Sequence, residues 1–160
     1  MKNKMLIIIG IIVLLFAGLY FTNSFKNKQA LESNENPYGK DNLKQETIDQ
    51  LDDPLYQNII TPEDLDQRLD NGEDITVYYY SPVCVHCQRT TPVVVPITEE
   101  LDIDMKKMNL LEFDKMDYYG VEGTPTIIHY ENGEEVGRIV GEQENPEEDF
   151  REFFEQYVLK

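Results

Sequence analysis

Tryptophan is missing from this chain, histidine occurs twice, and cysteine occurs only at Cys84 and Cys87. A pair three residues apart closes too short a loop to clamp distant parts of a fold, which excludes a disulfide scaffold. A structural zinc site needs four ligands, and only His86 and His129 remain to supply imidazole, so no metal is expected. His129 lies in a strand pattern and is read as a packed or surface residue. No acidic residue precedes residue 30, whereas Lys2, Lys4, Lys26 and Lys28 do; the remainder sets ten basic against thirty-one acidic side chains, a formal charge of −21. A surface that acidic repels phosphate backbones, which excludes nucleic acid as a partner. No internal repeat is visible, and 160 residues leave room for one domain.

What is present begins with a basic leader of four residues and an uninterrupted apolar run over residues 5–21. As a helix the run reaches about 25 Å, close to the ~30 Å of a hydrocarbon core. It suits a secretory signal or a signal anchor, which differ in whether a small-residue cleavage site follows. Ala17 has Leu15 two positions before it, Ala30 has Lys28, and no cysteine at the end of the run offers a lipid acceptor. An uncleaved transmembrane helix is therefore expected within residues 1–25. The basic leader places the rest outside the cytoplasm, at the cell membrane. Lysines at both ends of the run leave the positive-inside bias weak, so a cytoplasm-facing domain is the alternative. Residues 26–54 are rich in Asn, Gln, Lys and Glu and read as a polar stalk, in which Leu43, Ile48 and Leu51 suggest at most a short helix.

Residues 55–160 carry the pattern of a folded α/β domain. Residues 56–60 are a strand candidate. Thr61-Pro62-Glu63-Asp64 starts a helix with a capping hydroxyl and proline in the first turn, and Asn71-Gly72 ends it. Residues 75–80 are β-branched and aromatic and predict a central strand. The helix after Cys84 runs through Pro92, which kinks it, and Pro96 kinks it again or ends it early. Residues 103–110 suggest a strand and 113–119 a short helix closed by Gly120. Strands over 126–130 and 135–140 flank an Asn132-Gly133 hairpin turn. Asn145 caps a last helix that buries Phe150, Phe153, Phe154 and Tyr157.

The chemistry lies in Cys84-Val85-His86-Cys87, between a strand and a helix. There the unpaired N–H groups and the helix dipole stabilise a thiolate on Cys84, the expected nucleophile. One helical turn on, Cys87 can attack a mixed disulfide and release the substrate. A charged His86 would lower the Cys84 pKa further. The acidic side chains are read as a solvated face and Tyr78-Tyr79-Tyr80 as sheet packing.

These residues resemble the thioredoxin family over about residues 56–160. Pro92 stands five residues after Cys87, as the family's helix-kinking proline does. Residues 119–126 look like its cis-proline loop, with Pro125 as the cis residue, and Asn132-Gly133 and Gly141 match its hairpin turn and active-site rim. The resemblance implies a mixed sheet of four to five strands flanked by helices on both faces. It also implies thiol–disulfide exchange by Cys84, Cys87, His86 and Pro125, with Gly123 and Thr124 offering backbone groups to an extended substrate. Expected partners are proteins bearing thiols or disulfides and a redox partner, met by a monomer, with no cofactor beyond the cysteines. Departures are the His86 dipeptide, similar to that of periplasmic disulfide-forming oxidases, Val83 in place of the usual Trp, and Tyr78 where the family buries an acid, opposite Lys107. The alternative is an anchored thioredoxin-like accessory module that assists export or assembly of one client, as in bacteriocin export.

Overall fold

The structure is a computed structural model of the chain and describes residues 2–32 and 36–159. The chain divides into two compact units. One holds helix α1 (Lys2–Glu32) with Asn36 and Lys40–Asn42; the other holds Pro37–Gly39 and the chain from Leu43 onward.

Helix α1 covers the apolar run and continues past residue 25, as no proline interrupts it. Ile7, Leu14 and Phe21 are among its exposed large apolar side chains. Among the described residues no helix is both long and apolar enough to cross a membrane. The helix expected at the N-terminus is thus present, without a span.

The expected stalk is divided. Its first residues continue α1, residues 33–35 lie outside the described part, and the stretch up to Pro54 includes helix α2 (Gln45–Ile48), which belongs with the second unit. Tyr38 and Thr47 are buried there: the Asn109 amide donates to Thr47 Oγ1 at 3.1 Å, and the Tyr38 and Tyr80 hydroxyls lie 3.4 Å apart. Buried hydrogen bonds help to seat this segment, so its polar composition resembles that of a solvated stalk although part of it is packed.

The second unit is built on a four-stranded sheet of order β2-β1-β3-β4, comprising β1 (Ile75–Tyr80), β2 (Met105–Asn109), β3 (Thr126–Glu131) and β4 (Glu134–Val140). Strand β1 runs parallel to β2 and antiparallel to β3, which pairs antiparallel with β4. All six residues of β1 are buried, so both its faces are covered. Alternation sends Val77 and Tyr79 to the face packed by Leu65 of helix α3 (Pro62–Asp70). Tyr78 and Tyr80 go to the face packed by helices α4 (Val85–Glu100) and α5 (Pro146–Tyr157). The Thr61 hydroxyl caps α3 by accepting from Asp64 N–H at 3.2 Å. At the β3–β4 turn Asn132 and Gly133 take φ of 53° and 79°, the left-handed pair that a two-residue hairpin requires.

Four local readings are corrected. Residues 56–60 form no strand: a 3-10 turn (Pro54–Tyr56) and the left-handed Asn58, φ 66°, leave a single bridge between Ile59 and Lys107. Residues 113–119 form turns instead of a helix, because the Asn109 side chain takes the Leu111 N–H and Tyr119 is drawn onto α3 through a 2.8 Å bond to Asp66. Helix α4 runs through Pro92 as expected but does not end early at Pro96, both prolines lying on its exposed side. Asn145 does not cap α5 with its side chain; its backbone N–H donates to Asp149 at 3.1 Å.

Candidate active site

Strand β1 ends at Tyr80, the chain turns through Ser81 and Pro82, and Cys84 becomes the N-cap of α4. Helix geometry leaves the first N–H groups of α4 without intrahelical partners, and Cys84 Sγ accepts one of them, from Cys87, at 3.3 Å. The Cys84 thiol in turn donates to the Thr124 carbonyl at 3.3 Å. Both cysteines are in the dithiol form; Cys84 is half-buried and Cys87 buried.

The two thiols are driven apart. Burial alone would raise Cys84, but hydrogen bonds from the Cys87 and Thr124 side chains and from the backbone of Cys87 and His86 outweigh it, and its pKa is lowered. Cys87 is pushed up to about 12 by burial and by its bond to Cys84. At neutral pH the more accessible Cys84 sulfur is therefore the one poised to attack, and the buried one keeps its proton until a mixed disulfide forms.

The loop before β3 supplies the opposite wall. The Thr124–Pro125 peptide bond is cis and Pro125 is buried. The Pro125 carbonyl accepts from Gly141 N–H at 2.7 Å, which ties the loop to the end of β4; Gly141 has φ 83°. Gly123 stands one step away, its carbonyl accepting from the Thr126 hydroxyl at 2.7 Å. Val83 and Val85 are exposed beside the sulfurs.

His86 is placed differently from its expected use. Its ring meets Glu142, Nδ1 lying 2.8 Å from Oε2, and the part of His86 that lowers Cys84 is its backbone. Arg89, one turn along α4, holds the same carboxylate with two bonds, Nε to Oε1 at 2.7 Å and Nη2 to Oε2 at 2.6 Å. Bonds from Arg89 and then His86 hold Glu142 down at about 2. The sequence reading missed Arg89 and Glu142. The i,i+3 spacing of His86 and Arg89 was visible, but Glu142 reaches them only through the fold.

Tyr78 lies beneath Cys87. Its hydroxyl is 3.0 Å from Thr91 Oγ1, which donates to the Cys87 carbonyl at 2.8 Å, and burial raises its pKa. Lys107, its register partner on β2, is buried, donates to the Gln57 carbonyl at 2.8 Å, and has its pKa lowered by burial. His129 is packed, with Nδ1 2.9 Å from the Thr76 hydroxyl.

Residues 57–156 match the sequence profile of the Thioredoxin family. The chain belongs to the thioredoxin family. It is 30% identical over 118 residues to protein disulfide isomerase-like 2-2 of Oryza sativa subsp. japonica, covering 70% of this chain and 30% of that protein. A thioredoxin of Chlamydia pneumoniae is 32% identical over 85 residues, which cover 52% of this chain and 82% of that one. A solved thioredoxin of Halobacterium salinarum superposes with a TM-score of 0.52 at 29% identity, covering 62% of this chain and 88% of that chain. The match to the Oryza disulfide isomerase relatives spans only 17% and 30% of their length. The thioredoxin match begins after the Pro54–Tyr56 turn, so α1, Tyr38 and Thr47 lie outside it.

Proposed function

We propose that this thioredoxin-family chain is a protein thiol–disulfide oxidoreductase whose Cys84–Cys87 pair exchanges disulfides with proteins outside the cytoplasm. The observation that carries the reading is Cys84 Sγ at the N-terminus of α4, accepting the Cys87 N–H with its pKa lowered while that of the buried Cys87 is raised. In the oxidising direction a substrate thiolate attacks Cys84 of the disulfide form and Cys87 leaves as thiolate and takes a proton. A second substrate thiolate then attacks the mixed disulfide, which frees Cys84. The substrate loses two electrons and the pair gains them, so no further cofactor is needed. Pro125 and Thr124 form the wall against which an extended substrate lies, with Gly123 beside them. The chain acts as a monomer with an as yet unidentified redox partner, and α1 attaches it to the membrane; the apolar run and its exposed side chains support attachment.

The test is a Cys87→Ser variant expressed in the native host. It should accumulate mixed disulfides through Cys84 on a non-reducing gel, and Cys84→Ser should accumulate none. Equal adducts from both variants sink the reading. An accessory module that merely binds one client would keep its cellular role with both cysteines changed to Ser. Protease shaving of intact cells should remove the domain, and shaving only after lysis would place it inside.

A further inference from the structure

Glu142 is charged, touches neither sulfur, and yet joins the three parts of the site. It follows Gly141, whose N–H is bonded to the Pro125 carbonyl at 2.7 Å, and its side chain crosses to α4, where it takes Arg89 on both oxygens and His86 on one. Nδ1 of an imidazole carries one proton at most. Beside a carboxylate at 2.8 Å it donates that proton, so the Arg89 Nη2 group, 3.2 Å from the same nitrogen, directs its own N–H to Oε2. The ring is held by a fork-like ion pair rather than left free to turn.

Resting on the oxidoreductase reading, we propose that Glu142 is a positioning residue: with Arg89 it clamps the His86 imidazole at the rim and keeps it off Cys84, which sets how oxidising the cysteine pair is. The ring of His86 is more than half exposed and follows Cys84 by two residues, so only the clamp decides where it points. Arg89 is close enough to feel the Cys84 charge, and Glu142 neutralises it there. The rim therefore presents Cys84 with a balanced Arg89–Glu142 pair and a fixed imidazole, and the backbone N–H groups of α4 hold the thiolate. Loss of the carboxylate unbalances this in two ways. It removes a negative charge, and it frees the imidazole to approach the sulfur. Both lower the Cys84 pKa and favour the dithiol form of the pair.

The two contributions separate in a cycle of Glu142→Ala and His86→Ala on the full chain, because charge removal acts with or without the ring and repositioning needs it. Thiolate absorbance during a pH titration reads Cys84, and equilibration with glutathione reads the pair. Glu142→Ala should lower the Cys84 pKa by about 0.5 to 1 unit and shift the glutathione equilibrium about 3- to 10-fold toward the dithiol. In the His86→Ala background less than half of each shift should remain. Nitrogen NMR of the ring should find the Nδ1-protonated form in the parent and lose it in Glu142→Ala. Equal shifts in both backgrounds, no shift in either, or an unchanged tautomer overturn the clamp while leaving the oxidoreductase reading intact. A parent pair that exchanges nothing with glutathione overturns that reading and the clamp with it.

Discussion

Thr91 donates its hydroxyl proton to the Cys87 carbonyl, so the Tyr78 hydroxyl 3.0 Å away must be the donor between the two. Tyr78 has no exposed surface, and its phenol stays neutral because burial raises its pKa. Under Cys87 the family's acid is therefore replaced by a hydroxyl chain that cannot take a full charge. Thr91→Val should leave the Tyr78 hydroxyl buried without an acceptor and cost about 1 to 3 kcal/mol. Tyr78→Phe should cost less, and the double variant less than the sum of the two. Urea unfolding of the four proteins checks it, and additive costs would mean that the two hydroxyls do not act as a pair. The Cys84–Cys87 pair was legible from its spacing at a strand–helix junction, and Pro125 from the resemblance of residues 119–126 to the family's cis-proline loop. Glu142 was not, since nothing local to residue 142 marks it as a partner of residues 86 and 89.

At the scale of elements, the β3–β4 hairpin illustrates how a turn is held from both sides. Gly133 has φ 79°, and a Cβ there would run into the Leu69 carbonyl at the end of α3. Gly133→Ala thus meets a left-handed penalty of about 1 to 2 kcal/mol and a clash that only displacement of α3 relieves. A total loss of about 2 to 4 kcal/mol is expected from the two together. Asn132→Gly, which keeps the turn and meets no such wall, should change stability by less than about 1 kcal/mol. Thermal or urea midpoints decide; a Gly133→Ala protein as stable as the parent would mean that the hairpin does not press on α3. Strand β1 was readable because six β-branched and aromatic residues have no helical period. Residues 113–119 were misread for the opposite reason. Their spacing permits a helix, and it is the Asn109 and Asp66 side chains, brought from other elements, that turn them.

Across the whole molecule the core is unusually rich in tyrosine. Tyr78, Tyr79 and Tyr80 are fully buried, Tyr38 and Tyr130 nearly so, and burial is the first cause raising each phenol above the ordinary 10.0. Below pH 10 both folded and unfolded chains keep these protons. Above it the unfolded chain loses them first, so stability is present below the unfolded value and falls as pH rises beyond it. Urea midpoints should hold roughly level to about pH 9 and drop steeply above about pH 10, with tyrosinate absorbance appearing together with unfolding. Tyrosinate appearing well before unfolding would show that the rings are open to solvent. Tyr38 adds a second check, because it packs 6.1 Å from the Phe113 ring and meets the Tyr80 hydroxyl. Tyr38→Ala should cost about 2 to 4 kcal/mol, whereas a residue of a solvated stalk would cost under about 0.5 kcal/mol.

The sequence by itself determined the central strand, the hairpin turn with its two flanking strands, the start of α3 with its capping hydroxyl and proline, and the position of a cysteine pair at the mouth of a helix. Each of these depends on neighbours a few residues apart, where backbone sterics and hydrogen-bond geometry act directly. Only the tertiary structure decided which polar side chains find partners across long stretches of chain. Glu142 reaches 53 residues back to Arg89, Asn109 reaches 62 back to Thr47, and Tyr38 meets Tyr80 at a separation of 42. Such pairs carry no periodic signal, because a single polar contact forms wherever the packed core happens to bring donor and acceptor together.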